Sequence, residues 1–185
     1  MKVLILDNYD SFTYNLLHYC EPHVAQVDVI RNDRFNAGIL KNYQKIIFSP
    51  GPGLPDESPT MYQILNKYDG PILGVCLGLQ AIVCHFGGRL KNLASVLHGV
   101  SSKASIAKAD PLYKDVPQVH QIGHYHSWVA DPEYFPSELE VLSRCELGNI
   151  MSLRHINKPI HAVQFHPESV MTPEGKKIIE NWLRI

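Results

Sequence analysis

The segment PILGVCLGLQAI, residues 71–82, decides how the chain folds. Residues 72–75 are a short, uninterrupted apolar run, the pattern of a strand covered on both faces. Residues 78–86 carry a helical pattern that Gly87 and Gly88 bring to an end. Cys76 stands in the turn between them, with Gly74 and Gly78 two residues to either side. This G-x-C-x-G is the thiol form of a nucleophile elbow. A sharp strand-to-helix turn strains its central residue and packs so tightly that side chains at both flanks would clash, hence the glycines. The thiol is then held out at a sheet edge and at a helix N-terminus, where the dipole and free N–H groups favour the thiolate. Taken alone, the pattern also fits a buried core cysteine between two loop glycines.

Outward from this segment, strands are expected at residues 3–6, 27–30 and 45–49, and helices at 11–19, 37–42 and 60–68. Strands alternating with helices predict an open, mostly parallel α/β sheet with helices on both faces. Ligands collect at the carboxyl ends of such strands. The loops DNYDSF and SPGPGLP and the Cys76 turn should therefore share one edge. Beyond about residue 90, the segments DPLYKD and ADPEYFP predict shorter, partly antiparallel strands. A closing helix is expected over 173–183, with Pro173 in its first turn and Glu174 at its positive end. No repeat, low-complexity tract or linker interrupts the chain, so one domain over residues 1–185 is expected.

A chain of 185 residues can bury a sizeable core. Its hydrophobic fraction of 45 % and charged fraction of 19 % exclude a disordered or membrane-embedded class. With a net charge of -1 and no basic run, neither nucleic acid nor membrane is expected as a partner. The first apolar run is too short for a signal sequence and is interrupted by Asp7. Cys20, Cys76, Cys84 and Cys145 are scattered without a C-x-x-C pair, so reduced thiols and a cytoplasmic location are expected.

A base for the thiol is found in AVQFHPESV, residues 162–170. Read as a strand over 162–165 that runs on extended, it puts His166 and Glu168 on the same side. Pro167 biases His166 to that geometry. Glu168 can then accept from one imidazole nitrogen and leave the other for the thiol, which is what covalent catalysis needs. By itself, H-P-E also reads as a capping histidine beside an exposed Glu. Gly51 in SPGPG and Leu77 behind Cys76 supply candidate N–H donors for an oxyanion. Asp10 and Ser11 end the first loop on the same edge, where a partner would dock.

Taken together, GVCLGLQ, SPGPG, HYHSW and QFHPES resemble the class I (triad) glutamine amidotransferases. LDNYDSFTYNL, residues 6–16, looks like the small subunits of chorismate-utilising synthases, namely anthranilate synthase and aminodeoxychorismate (para-aminobenzoate) synthase. The resemblance implies a flavodoxin-like sheet with a small extra antiparallel sheet. It implies the triad Cys76, His166 and Glu168, and glutamine lying along Gly51, Pro52 and Gly53, against Gln80 and against Ser127 and Trp128. It implies no cofactor in this chain. The implied partner, which receives the ammonia, is a magnesium-dependent synthase subunit of tryptophan or folate biosynthesis.

Three positions depart from the family pattern: Leu79 replaces the usual His, His124 the usual Arg, and Val100 the usual Lys. His124 removes a permanent charge at neutral pH. SPGPGLP, the HGV variant and the YHSW and NWL segments favour the anthranilate type; an aminodeoxychorismate synthase component, or one shared by both synthases, is the alternative. A free-standing γ-glutamyl hydrolase would use the same triad without a partner. His120, His124, His126 and His161 could instead be recruited by a metal, but their spacing repeats no metal motif and no metal is expected.

Overall fold

The structure, a computed structural model, describes residues 1–185 apart from the side chains of Ser95 and Val96. The first half alternates β1 (Lys2–Asp7), α1 (Thr13–Cys20), β2 (Gln26–Arg31), β3 (Lys45–Phe48), α2 (Pro59–Lys67), β4 (Ile72–Val75) and α3 (Leu77–His85). The second half contributes β5 (Leu90–Ile106), β6 (Val119–Ala130), β7 (Leu139–Cys145), β8 (Ile150–His155), β9 (Ile160–Val163) and α4 (Gly175–Arg184). The strands form one sheet in the order β2-β1-β3-β4-β9-β8-β7-β5-β6. β2, β1, β3, β4 and β9 are parallel neighbours, and the pairings from β9 through to β6 are antiparallel.

Side-chain alternation along the parallel strands divides the core between two faces. Val3, Ile5 and Ile47 point to the face covered by α1 and α4, where Leu16, Cys20, Ile178 and Trp182 pack. Leu4, Leu6, Ile46 and Phe48 point to the other, covered by Met61, Ile64 and Leu65 of α2 and Ile82 of α3. Burial on both faces is why these strands read as continuous apolar runs. Lys45 is buried at the start of β3 but paired: its ammonium donates to the Trp182 carbonyl at 2.8 Å, in the last turn of α4. A cation there complements the negative end of the helix.

The second half differs from expectation in three ways. β5 and β6 are the longest strands, at 17 and 12 residues, rather than short ones. They stay long because they pair with each other along most of their length, with a bulge between His98 and Val100 where Gly99 takes φ 66°. The antiparallel part is not a separate small sheet: β8 pairs with β9 and makes it continuous with the parallel part. The closing helix begins at Gly175, with Glu174 as its N-cap and Pro173 outside. The Gly175 N–H closes a turn onto the Thr172 carbonyl at 2.9 Å.

Most of the ten histidines have structural surroundings. Burial lowers the pKa of His85, His120, His124 and His155. It takes His126 down to about 3, helped by the neighbouring His124 and His166. His161 lies 3.2 Å from an Asp110 oxygen. No group of three or more His, Cys, Asp or Glu side chains among the described residues is placed to hold a metal.

Two predictions arise from this packing. A Cβ on Gly175 would lie 1.8 Å from the Pro167 carbonyl oxygen, a backbone atom that cannot swing aside. Gly175→Ala should cost about 1–3 kcal/mol, seen as a lower urea midpoint; an unchanged midpoint would contradict the contact. The second concerns pH. His126 is neutral in the folded chain well below the value of about 6.5 at which it protonates when unfolded. Its contribution to stability is present above that value and is lost as pH falls, by up to about 1.4 kcal/mol per pH unit. Between pH 7 and pH 5 the urea midpoint should fall less steeply in His126→Asn than in the unsubstituted chain, and equal slopes would count against it.

Candidate active site

Cys76 sits between β4 and α3 with φ 51° and ψ -99°, a left-handed conformation that a non-glycine residue rarely adopts. The flanking glycines explain how the turn closes. A Cβ on Gly74 would come within 2.6 Å of the Gly78 carbonyl carbon, and one on Gly78 within 2.8 Å of the Phe48 Cβ. The Cys76 N–H donates to the Val163 carbonyl at 2.8 Å, which ties the elbow to β9.

β9 ends at Val163, three residues before His166, rather than running through to 165. The link to Glu168 is therefore made by a turn, closed by the Ser169 N–H on the His166 carbonyl at 3.2 Å, and not by an extended strand. The result is nevertheless a contact: His166 Nδ1 and a Glu168 oxygen are 2.6 Å apart, and both side chains are almost fully buried. Nδ1 is engaged by the carboxylate, so Nε2 is left for the thiol. Burial alone would lower the His166 pKa, but the Cys76 sulfur and the Glu168 carboxylate beside it hold it well above the usual histidine value.

Two cavities open on Cys76. One, of about 300 Å³, is lined by Gly51, Pro52, Gly53, Gln80, Ser127 and Trp128, together with Leu54, Tyr125 and His126. Every residue expected along bound glutamine is thus on one wall or another of a single cavity. Gln80 donates through Nε2 to the Trp128 carbonyl at 3.0 Å, which fixes its amide and joins α3 to β6. The other cavity, of about 420 Å³, includes Asp10, Ser11, Phe12, His98 and His166, and shares Gly51, Pro52, Cys76 and Tyr125 with the first. Asp10 and Ser11 therefore lie on the outer approach to the thiol. Asp10 accepts from the Phe12 N–H at 2.7 Å, and burial raises its pKa.

Gly51 is pressed between neighbours: a Cβ there would lie 2.6 Å from the Asn8 carbonyl oxygen and 3.0 Å from a Leu77 methyl. Gly51 and the Leu77 side chain are thus in close contact, and the Leu77 N–H, at the first position of α3, precedes the helix's own hydrogen-bond ladder. Leu79 is fully buried in the core cluster with Ile82 and Leu4. Val100 and His124 are cross-strand partners on β5 and β6, so two of the three departures from the family pattern adjoin. His124 bridges Ser102 Oγ at 2.7 Å and His126 Nε2 at 3.0 Å.

Three neighbours of the site are not among the residues expected from sequence. Tyr125 and Phe12 pack their rings on His166, with centroids 4.8 and 6.2 Å from it. Gln164 reaches Cys76 Sγ through Nε2 at 3.6 Å. All three stand inside the stretches LDNYDSF, HYHSW and QFHPES, so the signal is present, but nothing in residue type alone sets them apart from core residues.

The chain as a whole is similar to known proteins. The sequence model of the family "glutamine amidotransferase class-I" matches residues 4–185. A Haemophilus influenzae protein, provisionally named anthranilate synthase component II, is 41 % identical over 100 % of this chain and 97 % of its own length. The Escherichia coli protein named aminodeoxychorismate synthase component 2 is 37 % identical, over 98 % of each chain. A crystal structure from Thermoplasma acidophilum, provisionally assigned to GMP synthase, superimposes with a TM-score of 0.90 over 100 % of this chain and 92 % of that one. At 22 % identity that likeness speaks to the fold alone. A cysteine elbow on an α/β sheet, matched along almost its whole length by one family's sequence pattern, makes this chain a member of the class I glutamine amidotransferases.

Proposed function

We propose that this chain hydrolyses glutamine through a covalent γ-glutamyl thioester on Cys76 and passes the ammonia to a chorismate-utilising synthase subunit. The observation that carries the reading is a strained elbow cysteine that opens on both cavities, with His166 of the buried His166–Glu168 pair lining the second of them. In the proposed sequence the thiolate attacks the side-chain amide carbon of glutamine, and the carbonyl electrons move onto oxygen. The Gly51 and Leu77 N–H groups receive that oxyanion. His166 gives its proton to the departing nitrogen, so ammonia leaves and a thioester remains. Water, activated by the now neutral imidazole, then hydrolyses the thioester to glutamate and returns the thiol. Glu168 holds the imidazole in the tautomer that serves both steps. Glutamine lies along Gly51, Pro52 and Gly53, with Gln80, Ser127 and Trp128 around its polar end. The whole of residues 1–185 acts as one amidotransferase domain in this reading.

Anthranilate synthase is the favoured acceptor complex, in line with the Haemophilus relative's name. The Escherichia coli relative favours aminodeoxychorismate synthase as the alternative, and one subunit shared by both would satisfy both likenesses. Asp10 and Ser11, on the outer approach to the thiol, are the proposed contact with the synthase.

Two experiments test this. In the reconstituted complex, Cys76→Ser should abolish glutamine-dependent product formation and leave ammonia-dependent synthesis intact, because the thioester is made here and the chorismate chemistry elsewhere. Loss of both activities from a folded complex would contradict the division of labour. Product identification with chorismate, anthranilate against aminodeoxychorismate, decides the pathway. Separately, the isolated chain should release glutamate slowly, and the synthase subunit with chorismate should raise that rate about tenfold or more, or roughly 1.4 kcal/mol off the barrier. Rapid turnover of equal rate with and without partner would favour a free-standing hydrolase.

A further inference from the structure

Gln164 is fully buried between β9 and the elbow. Its backbone N–H is held by the Met151 carbonyl of β8 at 2.8 Å, and the preceding carbonyl, that of Val163, holds the Cys76 N–H. Its backbone is therefore held beside the elbow, and its side chain is fully enclosed. Nε2 lies 3.6 Å from Cys76 Sγ, within reach of an N–H···S hydrogen bond. The other end of the same amide, Oε1, is buried and has no hydrogen-bond partner among the described residues. A buried carbonyl without a hydrogen-bond partner is unfavourable, so an apolar side chain of this size would serve the core better. A polar residue kept at such a cost calls for a role outside packing.

We propose that Gln164 is a catalytic residue of this site, whose amide N–H donates to the Cys76 thiolate and holds it aimed at the substrate carbonyl. The proposal rests on the reading of Cys76 as the nucleophile. The amide Nε2–H is the side-chain donor within hydrogen-bond reach of the sulfur, and a hydrogen bond to a charged acceptor is the stronger kind. The amide can only give a hydrogen bond, since it stays neutral and loses no proton. It therefore steadies the thiolate without competing with His166 for the proton that leaves with ammonia. The orientation of the amide follows from the same chemistry, because an oxygen turned toward the thiolate would be repelled.

The test uses Gln164→Met, which keeps length and bulk but removes both the donor and the orphaned carbonyl, and Gln164→Glu, which keeps the shape and replaces the donor by an acceptor. Alkylation of Cys76 by iodoacetamide is followed against pH with peptide mapping, beside kcat and KM for glutamate release and a urea midpoint. In Gln164→Met the urea midpoint should be equal to or above that of the unsubstituted chain. The alkylation midpoint should move up by roughly one pH unit, and kcat should fall about tenfold with KM within about twofold. Gln164→Glu should shift the alkylation midpoint in the same direction, and it decides the matter if Gln164→Met does not fold. An alkylation profile and kcat unchanged in either folded variant would overturn the proposal, as would a rise in KM at constant kcat, which would put Gln164 on the substrate instead. If iodoacetamide maps to another cysteine in the unsubstituted chain, or Cys76→Ser still hydrolyses glutamine, it is the assignment of Cys76 that fails.

Discussion

The hydrogen bond from the Cys76 N–H to the Val163 carbonyl, 2.8 Å long, is the point on which the site hangs. It joins the last residue of β9 to the residue after β4, so a strand from the end of the chain and one from its middle are locked in register just where the sheet stops. The left-handed backbone of Cys76 costs about 1–3 kcal/mol. That strain is offset by the packing that surrounds it: Gly74 against Gly78, Gly78 against Phe48, and fully buried side chains on both faces. With the register fixed, the turn that follows β9 delivers His166 and Glu168 to the sulfur, and α4 presses on Pro167 from behind through Gly175.

The same edge also explains why the two cavities behave as one approach. Gly51, Pro52, Cys76 and Tyr125 belong to both, so the SPGPG loop borders the two cavities alike. That loop is pinned from below. Asn8 donates its N–H to the Ser49 hydroxyl and its side-chain amide to the Ser49 carbonyl, and accepts from Asn32 and Ser58. The loop of residues 7–12 is built by carboxylates on backbone: Asp7 accepts from the Tyr9 N–H and from Thr13, and Asp10 from the Phe12 N–H. Asn8 therefore links the loop of residues 7–12 to Ser49 and lies against Gly51.

The parallel half of the sheet is legible in the sequence because its strands are apolar throughout and its glycines have steric reasons. Cys76, His166 and Glu168 can be picked out because each carries chemistry in its residue type, and the resemblance joins them. The antiparallel half is harder to read. The pairing of β5 with β6 depends on partners far apart in sequence, and Pro, Gly and Asp near their ends look like turn signals whether the strand between is short or long. The start of α4 departs from expectation because Pro173 and Glu174 satisfy the usual rules for a first turn, while the actual start is set by Gly175 fitting against Pro167, a tertiary contact. Gln164 escapes notice for a related reason. Nothing in VQF marks its glutamine as buried, and its place at the end of a strand interior to the sheet is what encloses it.

The position of β9 has a consequence for how the molecule comes into being. It lies between β4 and β8, in the interior of the sheet, yet Gln164 beside it meets Cys76 across 88 residues of chain. As the polypeptide is synthesised from its N-terminus, β1, β3 and β4 can associate early, leaving one side of β4 as an open edge. The sulfur is then present without His166. Only when β9 fills that edge do the thiol and imidazole meet, so insertion of a central strand late in the chain acts as an assembly checkpoint. Contacts this distant in sequence form slowly, because the intervening loop must be closed first. A nascent or truncated chain lacking β9 would expose the β4 edge, a template for mispairing, and would not release ammonia.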